Sequence, residues 1–203
     1  MFVVRAAGLF VAAYCGMAWD ISGHAETSTI QKVGVWEAFG GTDNGGTPVC
    51  GVITAGAENR IFTIKQYLGS KGFTLQIFKG GWRIPEGQRV DVSIRFDSYD
   101  PWTAQASALP PDGIRVSIPQ NLAEAFLREF SGANKLRVTF PKGSEQPWEG
   151  GLSGSAAVTL TMLDCVIKME SRGATQPYGN SSSQPYNTPQ PPTQPYQRNG
   201  TRF

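Results

Sequence analysis

Short apolar runs punctuated by turn residues dominate the chain between residues 33 and 140. Val33–Phe39, Val49–Thr54, Arg60–Tyr67, Phe73–Lys79, Arg89–Phe96 and Ile114–Ile118 are rich in Val, Ile and Phe, the residues that suit a pleated, half-buried surface. Arg89–Phe96 alternates cleanly. Val90, Val92, Ile94 and Phe96 fall on one side, and Arg89, Asp91, Ser93 and Arg95 on the other, which predicts a strand with one buried face. Gly40–Pro48, Gly69–Gly72, Gly80-Gly81, Pro85–Gly87 and Pro110–Gly113 separate these runs as turns.

The period then changes. Pro119–Ser131 places Leu122, Ala125, Phe126, Glu129 and Phe130 at helical spacing. Pro119 suits a first turn, Asn121 is an equally good cap, and Gly132 ends the segment. Lys135–Phe140 reads as a further strand. Ser153–Met169 fits two patterns. Ala156, Leu160, Leu163 and Ile167 make a helical face that Ser153 could cap, while Val158, Leu160 and Met162 fit a strand; helix is the preferred reading. The expected fold is mainly β: an antiparallel sandwich or barrel-like body with one or two short α-helices.

Both ends of the chain depart from this pattern. Residues 1–25 carry Arg5, an apolar run Ala6–Ala18, and Gly23-His24-Ala25 with small residues at −3 and −1. That is the form of a signal peptide, with cleavage expected between Ala25 and Glu26. The run is too short to span a bilayer, which needs about 20 residues, so no transmembrane span is expected in the mature chain. From Gly173 to Phe203 the sequence turns to Gln, Pro, Ser, Asn and Thr, contains no acidic residue, and repeats Gln-Pro-Tyr at Tyr178, Tyr186 and Tyr196. With no aliphatic side chains beyond Ala174 it cannot form a core, and polyproline II or disorder is expected. The organisation is therefore 1–25 signal peptide, 26–172 β-rich domain and 173–203 tail.

Charge and composition narrow the chemistry. Of the 203 residues, Lys and Arg number 18 and Asp and Glu 16, a net charge of +2 that signal removal leaves unchanged. Such a balance gives no field to attract nucleic acid. The single histidine, His24, leaves with the signal. The mature chain therefore has no Ser-His-Asp or Cys-His catalysis and no histidine metal ligand or proton switch. No residue set points to a cofactor or a metal. Two cysteines remain, Cys50 and Cys165. In an oxidising periplasmic or extracellular compartment they are expected to form a structural disulfide, since their spacing is unlike a redox or metal pair.

Few motifs carry chemistry. Gly40–Gly46 lacks the Gly-Lys-Ser/Thr of a phosphate loop and reads as a hairpin loop. Gly151-Leu152-Ser153-Gly154-Ser155 misses a nucleophile elbow by one place. Asp91, Asp97, Asp100 and Asp112 could supply a carboxylate pair but lie scattered over a strand and loops. Trp82, at a strand end, Trp102, in an expected loop, and Trp148 are candidate partner contacts, because indoles at loop edges anchor ligands. In β proteins they also cover open ends of the core. Tyr178, Tyr186 and Tyr196 are candidate contacts in the tail.

Phe78-Lys79-x-x-Trp82-x-Ile84-Pro85-x-Gly87, followed by Val90–Phe96, Phe126–Phe130, Lys135–Phe140 and Leu152-Ser153-Gly154-Ser155-Ala156-Ala157, resembles the invasion-associated locus B family of exported bacterial proteins. Trp36, Pro85, Gly87, Leu152, Gly154 and Ala157 occupy matching places over about residues 33–168. The chain departs from the family's pattern in carrying one presumed disulfide rather than additional central pairs, and in its tail. The resemblance implies a non-enzymatic periplasmic or surface-associated protein with a link to host-cell association. The expected function is an exported binding or interaction module whose partner is a protein or envelope component. A structural envelope component tethered through its tail, and a histidine-free carboxylate hydrolase, are the alternatives.

Overall fold

The computed structural model describes residues 26–173; the expected signal peptide and Tyr178, Tyr186 and Tyr196 lie outside the described residues. Ten strands and two helices follow one another as β1 Glu26–Val33, β2 Trp36–Thr42, β3 Pro48–Ala55, β4 Arg60–Tyr67, β5 Phe73–Lys79, β6 Arg89–Phe96, β7 Trp102–Leu109, β8 Gly113–Ile118, α1 Gln120–Gly132, β9 Lys135–Thr139, β10 Trp148–Gly151 and α2 Ser155–Gly173. The strands form one antiparallel sheet in the order β1-β2-β3-β4-β5-β8-β7-β6-β9-β10. The mainly β expectation holds, with two helices.

The sheet curls until its two ends meet. Trp36 on β2 is 1% exposed, and its indole donates to the Gly151 carbonyl of β10 at 3.0 Å. Its ring also packs edge-on against Phe62 of β4 and Phe130 of α1, with centroids 6.2 and 5.0 Å away. From the other half of the sheet, Phe96 of β6 meets Phe126 and Phe130. Helix α1 thus fills the space inside the curl, and α2 packs beside it against β1, β2 and β3. Inward-facing Val52, Ile64, Leu75, Ile77, Ile94 and Ile114 complete a single core.

Four expectations are corrected in detail. The run expected as one strand, Val33–Phe39, is broken by a turn at Gly34-Val35, so that β1 ends at Val33 and β2 starts at Trp36. β1 escaped notice because it is an exposed edge strand whose residues are polar apart from Ile30 and Val33, too few to make an apolar alternation. Trp102 lies in strand β7, not in a loop. In α1 the cap position is Pro119 and no side chain among the described residues caps the helix; Ala123 and Leu127 are buried with Phe126 and Phe130, while Leu122 faces out.

The fourth correction concerns α2, which is a helix but buries a different face. Val158, Thr159, Met162 and Val166 point inward, whereas Leu160 and Ile167 are 69% and 66% exposed. Cys50 and Cys165 hold that choice in place, since their disulfide joins β3 to α2 with Cα atoms 5.9 Å apart. Ser155, not Ser153, opens the helix. Its buried hydroxyl donates to the Phe130 carbonyl at 3.0 Å and so ties α2 to α1. Gly154 before it adopts φ +95°, and a Cβ there would come within 2.7 Å of the Val33 carbonyl oxygen. The near-elbow sequence is therefore a packing corner.

Candidate functional site

A cluster at the seam between the sheet ends centres on Glu145, in the loop from β9 to β10. Two of the three tryptophans singled out from the sequence meet there. The Trp148 indole donates to Glu145 Oε1 at 2.8 Å and the Trp82 indole to Oε2 at 3.2 Å. Their rings stack with centroids 5.5 Å apart, and both pack edge-on against Phe140. Lys79, at the end of β5, donates to both carboxylate oxygens at 2.9 and 3.0 Å. Arg60, at the start of β4, reaches Oε1 at 3.4 Å and lies over the Trp148 ring, 5.1 Å from its centroid. Glu58 pairs with Lys79 and Arg60 from the outside.

Electrostatics follow from this geometry. Burial alone pushes the Glu145 carboxyl up, but the bonds donated by Lys79, Trp148 and Trp82 outweigh it and hold the group below the usual carboxylate range. The same bond to Glu145, with that to Glu58, holds the Lys79 ammonium above its ordinary value. Two cations and two anions cancel, so the cluster is neutral in sum.

Beside the cluster opens a cleft of about 300 Å³ between the sheet ends. Trp36, Phe62, Leu136, Val138 and Trp148 form its apolar walls, and the backbone of Glu149–Gly151 forms its rim. Arg60 lines the same cleft. Its Nε is buried and has no hydrogen-bond partner among the described residues, although its terminal nitrogen is paired. The cleft therefore combines an apolar recess and an indole face with a buried, unsatisfied donor in its wall that a ligand reaches only when the Arg60 side chain shifts.

Trp102 lies apart from this constellation. Its indole donates to Glu129 of α1 at 2.6 Å and its ring packs edge-on against Phe126, so it pins α1 to β7.

The carboxylates considered for catalysis are separated by their partners. Asp91 is held by Lys142 at 2.6 Å. Asp97 accepts the backbone N–H groups of Asn134 and Lys135 at 2.9 and 2.8 Å, which hold its carboxyl below the usual range. In the Gly40–Gly46 segment, Asp43 accepts the N–H groups of Gly45 and Thr47, both at 2.9 Å, and closes the β2–β3 hairpin as expected. Among the described residues no group of three or more His, Cys, Asp or Glu could hold a metal ion, and no helix is long and apolar enough to cross a membrane.

Comparison with known proteins adds a weak likeness. No family model matches the chain, and no curated protein matches it. Among solved structures, invasion associated protein B from Bartonella henselae aligns with 70% of this chain and 97% of its own, at 13% identity and a TM-score of 0.40. The resemblance is one of fold, and it is slight.

Arg60, Lys79 and Glu145 were not singled out from the sequence. They are separated by 66 and 85 positions from Glu145, and no local spacing joins them. The one signal available was the charged residue three places before Trp148.

Proposed function

We propose that this chain is an exported, non-enzymatic binding module of a bacterial envelope or secretion, and that it engages a protein or envelope partner through the cleft between β2–β4 and β9–β10. One observation carries the reading. Arg60 lies against Trp148 at the wall of an apolar cleft, with its buried Nε–H left without a partner among the described residues. An unsatisfied buried donor costs about 1–3 kcal/mol. A partner that inserts an apolar group and offers one acceptor oxygen relieves that cost, and the neutral cluster behind Arg60 favours an uncharged acceptor such as a carbonyl.

Export is supported by the disulfide, which belongs to an oxidising compartment. The non-enzymatic reading is supported by the engagement of Asp91, Asp97 and Ser155 in ion pairs and backbone bonds.

The test uses the full chain, exported with its own N-terminal segment and chemically cross-linked in intact cells. A discrete partner is expected with the parent protein and lost with Arg60→Met, compared below the lowered thermal midpoint that loss of the Glu145 and Trp148 contacts brings, with folding of both checked by circular dichroism. Recovery of the same partner from both proteins would contradict the reading. A host-surface partner in place of an envelope one would extend it to host-cell association.

A further inference from the structure

The outward face of the sheet holds a second concavity, on the opposite side of the strands from the core. It is a groove of about 700 Å³ crossing β1 to β5. Its floor is read from the strand register. Glu37, Ile53, Thr63, Gln76 and Arg115 face one another across successive strands, and Phe39, Gly51, Lys65 and Thr74 form the next row. No helix of the described residues packs on this face, yet Phe39, Val49, Thr63 and Gln76 are buried. Phe39 achieves this by lying over Gly51, where a Cβ would come within 2.5 Å of the ring. Ile53, Ile61 and Phe78 continue the apolar floor.

One end of the groove is cationic. Lys65 lies beside the Phe39 ring, 6.0 Å from its centroid, and among the described residues has neither an ion pair nor a hydrogen bond from its ammonium. Its neighbour Arg115 on β8 also has no ion pair among the described residues. Burial, and then the charge of Arg115, pull the Lys65 ammonium below its ordinary value, against a smaller opposing pull from the Asp43 carboxylate at the same end of the groove. The carboxylates along the groove are otherwise placed: Glu37 is engaged by Lys32 and Thr29, Asp43 by its turn, and Asp112 sits beyond Phe78 at the far end. From Lys65 to Asn59 the groove follows the strand direction for about 20 Å.

We infer that this groove binds a free single-chain amphiphile bearing one negative charge, such as a fatty carboxylate, with its head at Lys65 and Arg115 and its hydrocarbon chain along Phe39, Ile53, Ile61 and Phe78. Charge complementarity selects the head: an anion satisfies Lys65 and relieves its repulsion from Arg115. The floor selects the chain. Strands β2 to β5, which form the floor, are each paired on both sides, so a peptide added as a strand could pair only with the β1 edge at the rim and would leave the apolar floor uncovered. The 173–203 segment has arginines and no acidic residue, which sets its charge against Lys65. A bilayer surface is flat and cannot reach a concave floor.

The full exported chain is titrated with dodecanoate below its micelle concentration, by calorimetry and by NMR of the isoleucine and valine methyl groups. Saturable binding is expected, with a shift at Ile53, which lines the groove and not the cleft, and none at Val138 in the cleft. Lys65→Met keeps the apolar stem and should weaken binding about tenfold or more. Dodecanol should bind correspondingly less well, and Arg60→Met should bind dodecanoate like the parent. Equal affinity for the Lys65→Met protein, equal affinity for dodecanol, shifts confined to the cleft, or binding only to phosphatidylglycerol vesicles would each overturn the inference. Because Arg60→Met and Lys65→Met address separate faces, failure here leaves the cleft reading standing, and the reverse.

Discussion

Trp36 and Gly151 lie 115 residues apart, and the bond from the Trp36 indole to the Gly151 carbonyl joins the second strand of the sheet to the last. This contact turns an open sheet into a closed body and sets the width of the cleft beside it. Trp36→Phe removes the donor and part of a fully buried ring. It should destabilise the protein by about 2–3 kcal/mol, read from urea unfolding, and should increase exchange of the β10 amides. A change under about 0.5 kcal/mol, a surface-like value, would mean that the seam is held elsewhere.

The Cys50–Cys165 bridge spans 115 positions. In the chain-entropy model a loop of that size contributes about 4–5 kcal/mol. The paired Cys50→Ala and Cys165→Ala protein should therefore unfold at much lower urea, with α2 losing amide protection before the central strands. Equal stability of the oxidised and mutant proteins would show that packing of Val158, Met162 and Val166 alone holds the helix.

The Glu145 cluster predicts a specific pH dependence. A carboxyl held below its unfolded value of about 4.3 stabilises the fold above that pH, and the contribution is lost as pH falls through the lower folded value. Lys79 behaves in the opposite sense. Its raised ammonium stabilises below the unfolded value of about 10.4, and the contribution is lost as pH rises through the folded value. Glu145→Gln should lower stability at pH 7 by about 2 kcal/mol. The gap to the parent should shrink below about pH 4, in unfolding curves collected from pH 3 to 8. A constant gap would remove Glu145 as the source.

Helix α2 separates hydrophobicity from burial. Met162 is fully buried, whereas Leu160, two residues away, is 69% exposed. Met162→Ala should cost about 2–5 kcal/mol, and Leu160→Ser should stay within about 0.5 kcal/mol. Comparable costs at both sites would mean that α2 buries the face its leucines suggest.

The same helix shows where reading the sequence stops. Leucine and isoleucine at 160 and 167 looked like the core face, but Ser155 and Thr159 hydroxyls lie inward because α1 offers a carbonyl to Ser155 and the disulfide fixes the rotation of the helix. Strands β4, β5, β6 and β8 were legible because each has one apolar face inward, with mostly charged or polar side chains on the other, Ile61 of β4 and Phe78 of β5 being exceptions. In β7, Thr-Ala-Gln-Ala-Ser-Ala has too little contrast to alternate visibly, and in the exposed part of β1 Ile30 is the lone apolar residue among polar ones. Within the site, indoles announce themselves one at a time, so Trp82 and Trp148 were found. The carboxylate and cations that join them are distant in sequence and come together only when the sheet curls.

The central claim, that the cleft is the contact surface of the exported protein, is tested most directly by position-resolved photo-cross-linking in cells. A photoreactive residue is placed at Ala57 or Glu149 on the cleft rim, and at Gln105, an exposed position on β7. Discrete adducts from Ala57 and Glu149, absent from Gln105 and abolished by Arg60→Met, are the expected result. Adducts of equal yield from Gln105, or none from the rim, would contradict it.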